Sequence, residues 1–110
     1  IRIDISNDES VQQAAVQYES KYGEYDLVLV MAGFWKRMSA KKFDLAIFKE
    51  HNNTNNVGLA RCVAAVLPKM IAQNSGTLIG VSSVAGFRGL PGVRFRAGRL
   101  VRLKNSRFCS

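Results

Sequence analysis

The sequence predicts an α/β domain built on a parallel sheet. Short apolar runs alternate with stretches whose apolar residues recur at helical spacing. The runs are continuous rather than alternating in polarity, as in strands buried on both faces. Turn-forming residues separate the two kinds of segment.

Ile1 and Ile3 before Asp4 read as the end of a short strand. Ser6 or Asp8 can cap the helix that follows, and an acid lies in its first turn. Val11, Ala15, Tyr18 and Tyr22 form one apolar helical face, and Gly23 supplies its stop. Leu27 to Val30 is an apolar run too short for a helix and reads as a buried strand. After Ala32-Gly33 and a polar stretch, Ser39 can start a short helix carrying Phe43, Leu45, Ile47 and Phe48. Asn52, Asn53, Asn55 and Asn56, all poor helix formers, should interrupt it. Cys62, Val63, Val66, Leu67, Met70 and Ile71 mark a further helical face, Asn74-Ser75-Gly76 ends it, and Thr77 to Val81 reads as another buried strand.

Of the 110 residues 47% are apolar and 22% charged, which excludes a disordered or fibrous chain. The longest uncharged apolar run, Leu27 to Trp35, has nine residues, where a bilayer span takes about 20. No transmembrane helix is expected, and membrane partners are not. Two cysteines, Cys62 and Cys109, make no disulfide framework and fit a reducing, cytoplasmic setting. The chain opens on Ile1 with no basic-then-apolar leader, which suggests a fragment with no signal peptide.

The net charge of +8 is unevenly spread. All eight acids precede Gly92, and the first 92 residues hold ten bases, for +2. Residues 93–110 hold the other six bases (Arg94, Arg96, Arg99, Arg102, Lys104 and Arg107) and no acid. A near-neutral body therefore carries a basic tail.

Four motifs in the body carry a resemblance. The segment Ser75-Gly76-Thr77-Leu78-Ile79-Gly80-Val81-Ser82-Ser83-Val84-Ala85-Gly86, continuing to Gly92, resembles the strand and loop bearing the active-site serine of short-chain dehydrogenases/reductases. Asp4-Ile5-Ser6 resembles that family's Asp-hydrophobic motif after its third strand. Tyr25 to Gly33 resembles its fourth strand and Asn-Ala-Gly turn, and Asn55-Asn56-Val57-Gly58 with Leu67-Pro68-Lys69-Met70 its Asn-x-x-Gly helix. They stand in family order over residues 1–92. The resemblance implies a partial Rossmann-type doubly wound sheet holding the third to fifth strands, with residues 93–110 outside it.

It also implies an NAD(P)-dependent oxidoreductase acting on an alcohol/ketone pair, in a family usually homo-oligomeric. Asp4 would accept a hydrogen bond from the adenine amino group, with Ile5 packing on the ring. Ala32 and Gly33 would let backbone approach the ribose of NAD or NADP. Ser83 would hold the substrate carbonyl or hydroxyl, and Asn55 a water in a proton relay. Each has a plainer reading. Asp4 can simply close a turn, Ser82 and Ser83 can be loop hydroxyls, Asn55 can mark a helix boundary, and Gly33 and Gly58 can relieve packing. His51 reads as an exposed or capping histidine and Cys62 as core. No residues stand at metal-ligand spacing around His51, so no metal is assigned.

Three departures from the family pattern stand beside these matches. No Gly-x-x-x-Gly-x-Gly run occurs anywhere to cradle a pyrophosphate. Met31 occupies the Asn position of the Asn-Ala-Gly turn. The family's Tyr and Lys should fall at about Arg96 and Leu100, and no Tyr follows Tyr25. An always-charged guanidinium is a poor proton donor, so the chain alone is expected to be inactive.

The tail admits more than one explanation. It reads as disordered, or as the product of a reading frame or exon junction shifted near Gly92. In the alternative, non-catalytic reading it is an interaction segment whose bases, interleaved with Val93, Phe95, Leu100, Val101, Leu103 and Phe108, bind anionic partners. Nucleic acid is not the favoured one. In the doubly wound order 3-2-1-4-5-6 the first strand here would lack neighbours, which predicts a marginal fold when the chain is alone.

Overall fold

The computed structural model describes residues 1–39 and 41–83. The Val84–Gly92 loop, the Arg96 and Leu100 positions and the basic tail lie outside the described residues. Its elements run helix α1 (Asp8–Tyr22), strand β1 (Leu27–Val30), helix α2 (Leu45–Asn52), a π-helical turn (Asn53–Val57), helix α3 (Gly58–Ala72) and strand β2 (Thr77–Gly80). β1 and β2 pair in parallel, Leu27 opposite Thr77 and Val30 opposite Gly80. This is the expected α/β class, with a two-stranded parallel sheet among the described residues.

Asn7 caps α1: its side chain accepts the Ser10 N–H at 2.9 Å. Neither Ser6 nor Asp8 takes that role, because Ser6 is spent on the Asp4 turn and Asp8 already lies in the first helical turn. Gly23 ends the helix at φ +82°, as its position predicts. α2 begins later than expected. Asp44, not Ser39, accepts the Ala46 and Ile47 N–H groups, because Asp44 directly precedes the apolar helical residues. The asparagine run does not break the helix. It widens it into the π turn, and the chain keeps right-handed helical dihedrals from there into α3.

The core lies between the sheet and the pair α1 and α3. Ile5, Val11, Val30 and Cys62 form one buried cluster, and Tyr25, Val66 and Met70 another, with Val28 and Leu78 packed against both. The buried stripe of α3 is Gly58, Cys62, Val66 and Met70, one residue every turn, and Cys62 is core as expected. The apolar face of α1 is rotated toward Val11 and Ala14, leaving Tyr22 exposed. Burial pushes the Cys62 thiol above its ordinary pKa, which suits an inert packing residue.

Residues 1–4 are exposed and pair with no strand among the described residues, in line with the lack of neighbours expected for the first strand, and without a ladder partner the extended segment is not a strand. The expected burial of the strands on both faces is corrected. The described sheet is covered on one face only. Leu27, Leu29, Met31, Ile79 and Val81 point away from α1 and α3 and are 40–67% exposed.

Gln73 fastens the end of α3 to the start of β1. Its Oε1 accepts the Tyr25 N–H at 3.2 Å, and its Nε2 donates to the Tyr25 carbonyl at 2.6 Å. Tyr25 is 5% exposed, stacks on Tyr18 and donates its hydroxyl to Glu19 Oε1 at 3.1 Å. Burial first, and the Glu19 bond and charge next, push its pKa up to about 12. A folded value above the unfolded one of about 10 gives stability that is complete below pH 10. That stability is lost as pH rises toward 12. Tyr25→Phe should therefore flatten the alkaline fall in unfolding free energy across this window. Identical slopes in the two proteins by urea titration would contradict the assignment.

Candidate functional site

Both strands end at the same edge of the sheet. The register Val30–Gly80 sets Met31-Ala32-Gly33 beside Val81-Ser82-Ser83, and the Val81 N–H continues the ladder to the Val30 carbonyl at 3.0 Å. In open α/β sheets the carboxyl edge of the strands is where ligands bind. Ala32 and Gly33 are exposed there and Ser83 is half-buried. Gly33 and Ser83 each stand three residues beyond the last paired residue of their strand.

The asparagine-rich π turn holds this edge in shape. Asn55 Oδ1 accepts the Phe34 N–H at 2.7 Å, and its Nδ2 donates to the Phe34 carbonyl at 2.8 Å. Both ends of the amide are thus used on one backbone residue. A Cβ built on Gly33 would come within 3.3 Å of Asn55 Oδ1, so the close approach is made by a residue without a side chain. Asn55 therefore serves as a clamp on the segment after β1.

The turn after residue 3 is fastened to the same helix. Asp4 Oδ1 accepts the Ser6 N–H at 2.9 Å and the Ser6 hydroxyl at 2.7 Å. These bonds, the hydroxyl's first, hold the Asp4 carboxyl below the usual carboxylate range. Asp4 thus closes a turn and remains an exposed, ionised acceptor whose Oδ2 has no hydrogen-bond partner among the described residues. Ile5 follows directly in the turn. It is 7% exposed, drawn into the core against Gly58 by its apolar surface.

Two ties were not anticipated. Arg61 on α3 donates to the carbonyls of Ile5 at 3.3 Å and Asn53 at 3.1 Å and pairs with Asp8, while Asn53 Nδ2 donates to the Ser6 carbonyl at 3.1 Å. His51, expected to be exposed or capping, is 3% exposed, because each ring nitrogen finds a backbone partner inside the fold. A lone histidine between Ile47 and Asn55 was the only signal for it. No group of three potential metal ligands occurs among the described residues, and none of their helices is long and apolar enough to cross a membrane.

This arrangement agrees with comparisons to known proteins. The sequence pattern of the family described as short chain dehydrogenase matches residues 1–95. An uncharacterized oxidoreductase of Myxococcus xanthus is 34% identical over 92 residues, which cover 84% of this chain and 36% of the relative. A 3-oxoacyl-(acyl-carrier-protein) reductase of Staphylococcus epidermidis is 29% identical over 97 residues, 84% of this chain and 38% of the relative. A solved structure of ElxO with NADP bound superposes with a TM-score of 0.79 at 24% identity, covering 84% of this chain and 38% of that one. The chain spans about a third of the length of the curated relatives it matches.

Proposed function

The chain belongs to the short chain dehydrogenase family, and from that premise we propose that it carries the adenosine-facing and carbonyl-facing part of an NAD(P)-dependent oxidoreductase for an alcohol/ketone pair. One observation carries the reading. The Asp4 turn and the segment at Gly33 are each bonded to the π turn, through Ser6–Asn53 and Phe34–Asn55, and Ser83 follows the strand paired with β1, which supports reading them as parts of one site.

These residues fit the adenosine half of a dinucleotide. Asp4 Oδ2, without a hydrogen-bond partner among the described residues, is an anionic acceptor for an exocyclic amino group, next in sequence to Ile5. At Gly33 the main chain is open to a ribose, since its one close side-chain neighbour is Asn55. The nicotinamide, when bound, supplies or takes the hydride. Ser83 would hold the substrate oxygen by a hydrogen bond, polarising it as charge develops. Asn55 would hold a water in a proton relay, its amide keeping one hydrogen and one lone pair beyond those used on Phe34. Completing the reaction takes a proton donor that neither Arg96 nor Leu100 provides.

Titration of the ¹⁵N-labelled chain with NADPH, NADH and 5′-AMP tests the reading. The amides of Ile5, Ala32 and Gly33 should shift, and no ketone-dependent NADPH oxidation should follow. Shifts confined to other residues would refute the binding assignment. Turnover by the chain alone would refute the missing-donor argument.

A further inference from the structure

We propose that His51 is a positioning residue: as the neutral tautomer protonated at Nδ1, it fixes the backbone at Lys36 and, with Asn55 one turn later, sets the shape of the segment leaving β1. The proposal goes beyond the cofactor reading and does not depend on it.

The partners dictate the tautomer. His51 Nδ1 lies 2.8 Å from the Ile47 carbonyl oxygen, which can only accept, so Nδ1 carries the hydrogen. Nε2 lies 3.0 Å from the Lys36 backbone nitrogen, whose N–H can only donate, so Nε2 is bare. At 3% exposure water is no alternative partner for either nitrogen. The Phe34 ring meets the imidazole edge-on, 4.9 Å between centroids at 63°. That contact fixes the ring plane in which both hydrogen bonds lie.

The pair of clamps explains why a polar side chain is buried here. Asn55 takes both backbone groups of Phe34 and His51 takes the N–H of Lys36. Three main-chain groups of a short exposed segment are thus held by two side chains four residues apart on one helical face. An apolar residue at 51 would fill the same volume and leave the Lys36 N–H without this acceptor. Arg37, next in sequence, lines with Met38, Ser39 and Lys42 the cleft over the start of α2, so the hold at Lys36 also sets where that cleft begins.

The test uses the full chain labelled with ¹⁵N. Long-range imidazole spectra should show Nε2 as the nitrogen without hydrogen, and Lys36 should exchange its amide about tenfold or more slower than a free peptide. His51→Phe, which keeps a ring but has no acceptor, should return Lys36 to the free-peptide rate while Phe34 stays slow. His51→Gln, whose Oε1 can stand where Nε2 stood, should restore most of the protection. A hydrogen on Nε2, a free-peptide rate at Lys36 in the unsubstituted chain, or equal protection in the Phe and Gln variants would each overturn the proposal. The tautomer is read without any substitution, so it decides even where His51→Phe does not fold.

Discussion

Gly58→Val is expected to lower the unfolding free energy by about 3 kcal/mol or more, the upper end of the range for overpacking a filled core. Even an alanine Cβ at this position would stand 2.9 Å from the Ile5 carbonyl oxygen and 3.0 Å from its Cγ1 and Cδ1 atoms. A clash with a side-chain tip can be relieved by a rotamer change, but a backbone oxygen moves only with its turn. Ile5 has nowhere to retreat, being buried against Val11, Val30 and Cys62. Its carbonyl is also the acceptor for Arg61, so displacement breaks the tie that fastens the Asp4–Ser6 turn to α3. Valine adds two methyl groups beyond that Cβ, and the small gain in helix propensity over glycine does not offset the crowding. Gly58→Ala should show the same effect at roughly half the size. The urea midpoint should fall with little change in m-value, and the Ile5, Ser6 and Asn7 amides should shift most. An unchanged midpoint for the valine variant would mean that the turn is not seated on Gly58.

The elements legible in the sequence were those decided within a few residues. Leu27–Val30 and Thr77–Gly80 needed only an apolar run between turn residues, and Gly23 needed only its place after the last apolar residue of α1. Ala32-Gly33 and Ser83 were singled out only through the family resemblance of the segments that follow the two strands. Features decided by remote partners were not. Ile1 and Ile3 have strand propensity but no ladder partner. The asparagines read as a break because propensity counts only the local backbone; in the fold Asn53 and Asn55 each reach a distant main chain, at Ser6 and Phe34. Those bonds offset their poor helix propensity, and the chain passes through them as a π turn. His51 and Arg61 likewise acquire their roles only when residues 34–36 and 4–8 come alongside.

Asn55→Ala should be nearly as damaging as the glycine substitution, and it separates clamping from packing. The change removes two hydrogen bonds of ordinary length and leaves the N–H and carbonyl of half-buried Phe34 without their partner. Each bond is worth about 1 kcal/mol net, and an orphaned half-buried group adds to that, for a total of about 2–4 kcal/mol. Asn55→Asp should recover little, since a carboxylate can accept from the Phe34 N–H but faces the Phe34 carbonyl with no hydrogen to give. Phe34 should lose its exchange protection in both variants, while Val81, bonded to Val30 in the sheet, keeps its own. The close approach at Gly33 supplies a second readout. Asn55 Oδ1 is pinned by its 2.7 Å bond and cannot move aside, so Gly33→Ala forces a 3.3 Å contact in the parent chain. With Asn55→Ala in place that obstacle is gone, and the same Gly33→Ala change should cost less by about 0.5–1 kcal/mol. Additive costs in this double-mutant cycle would show that Gly33 is small for some reason other than the Asn55 clamp.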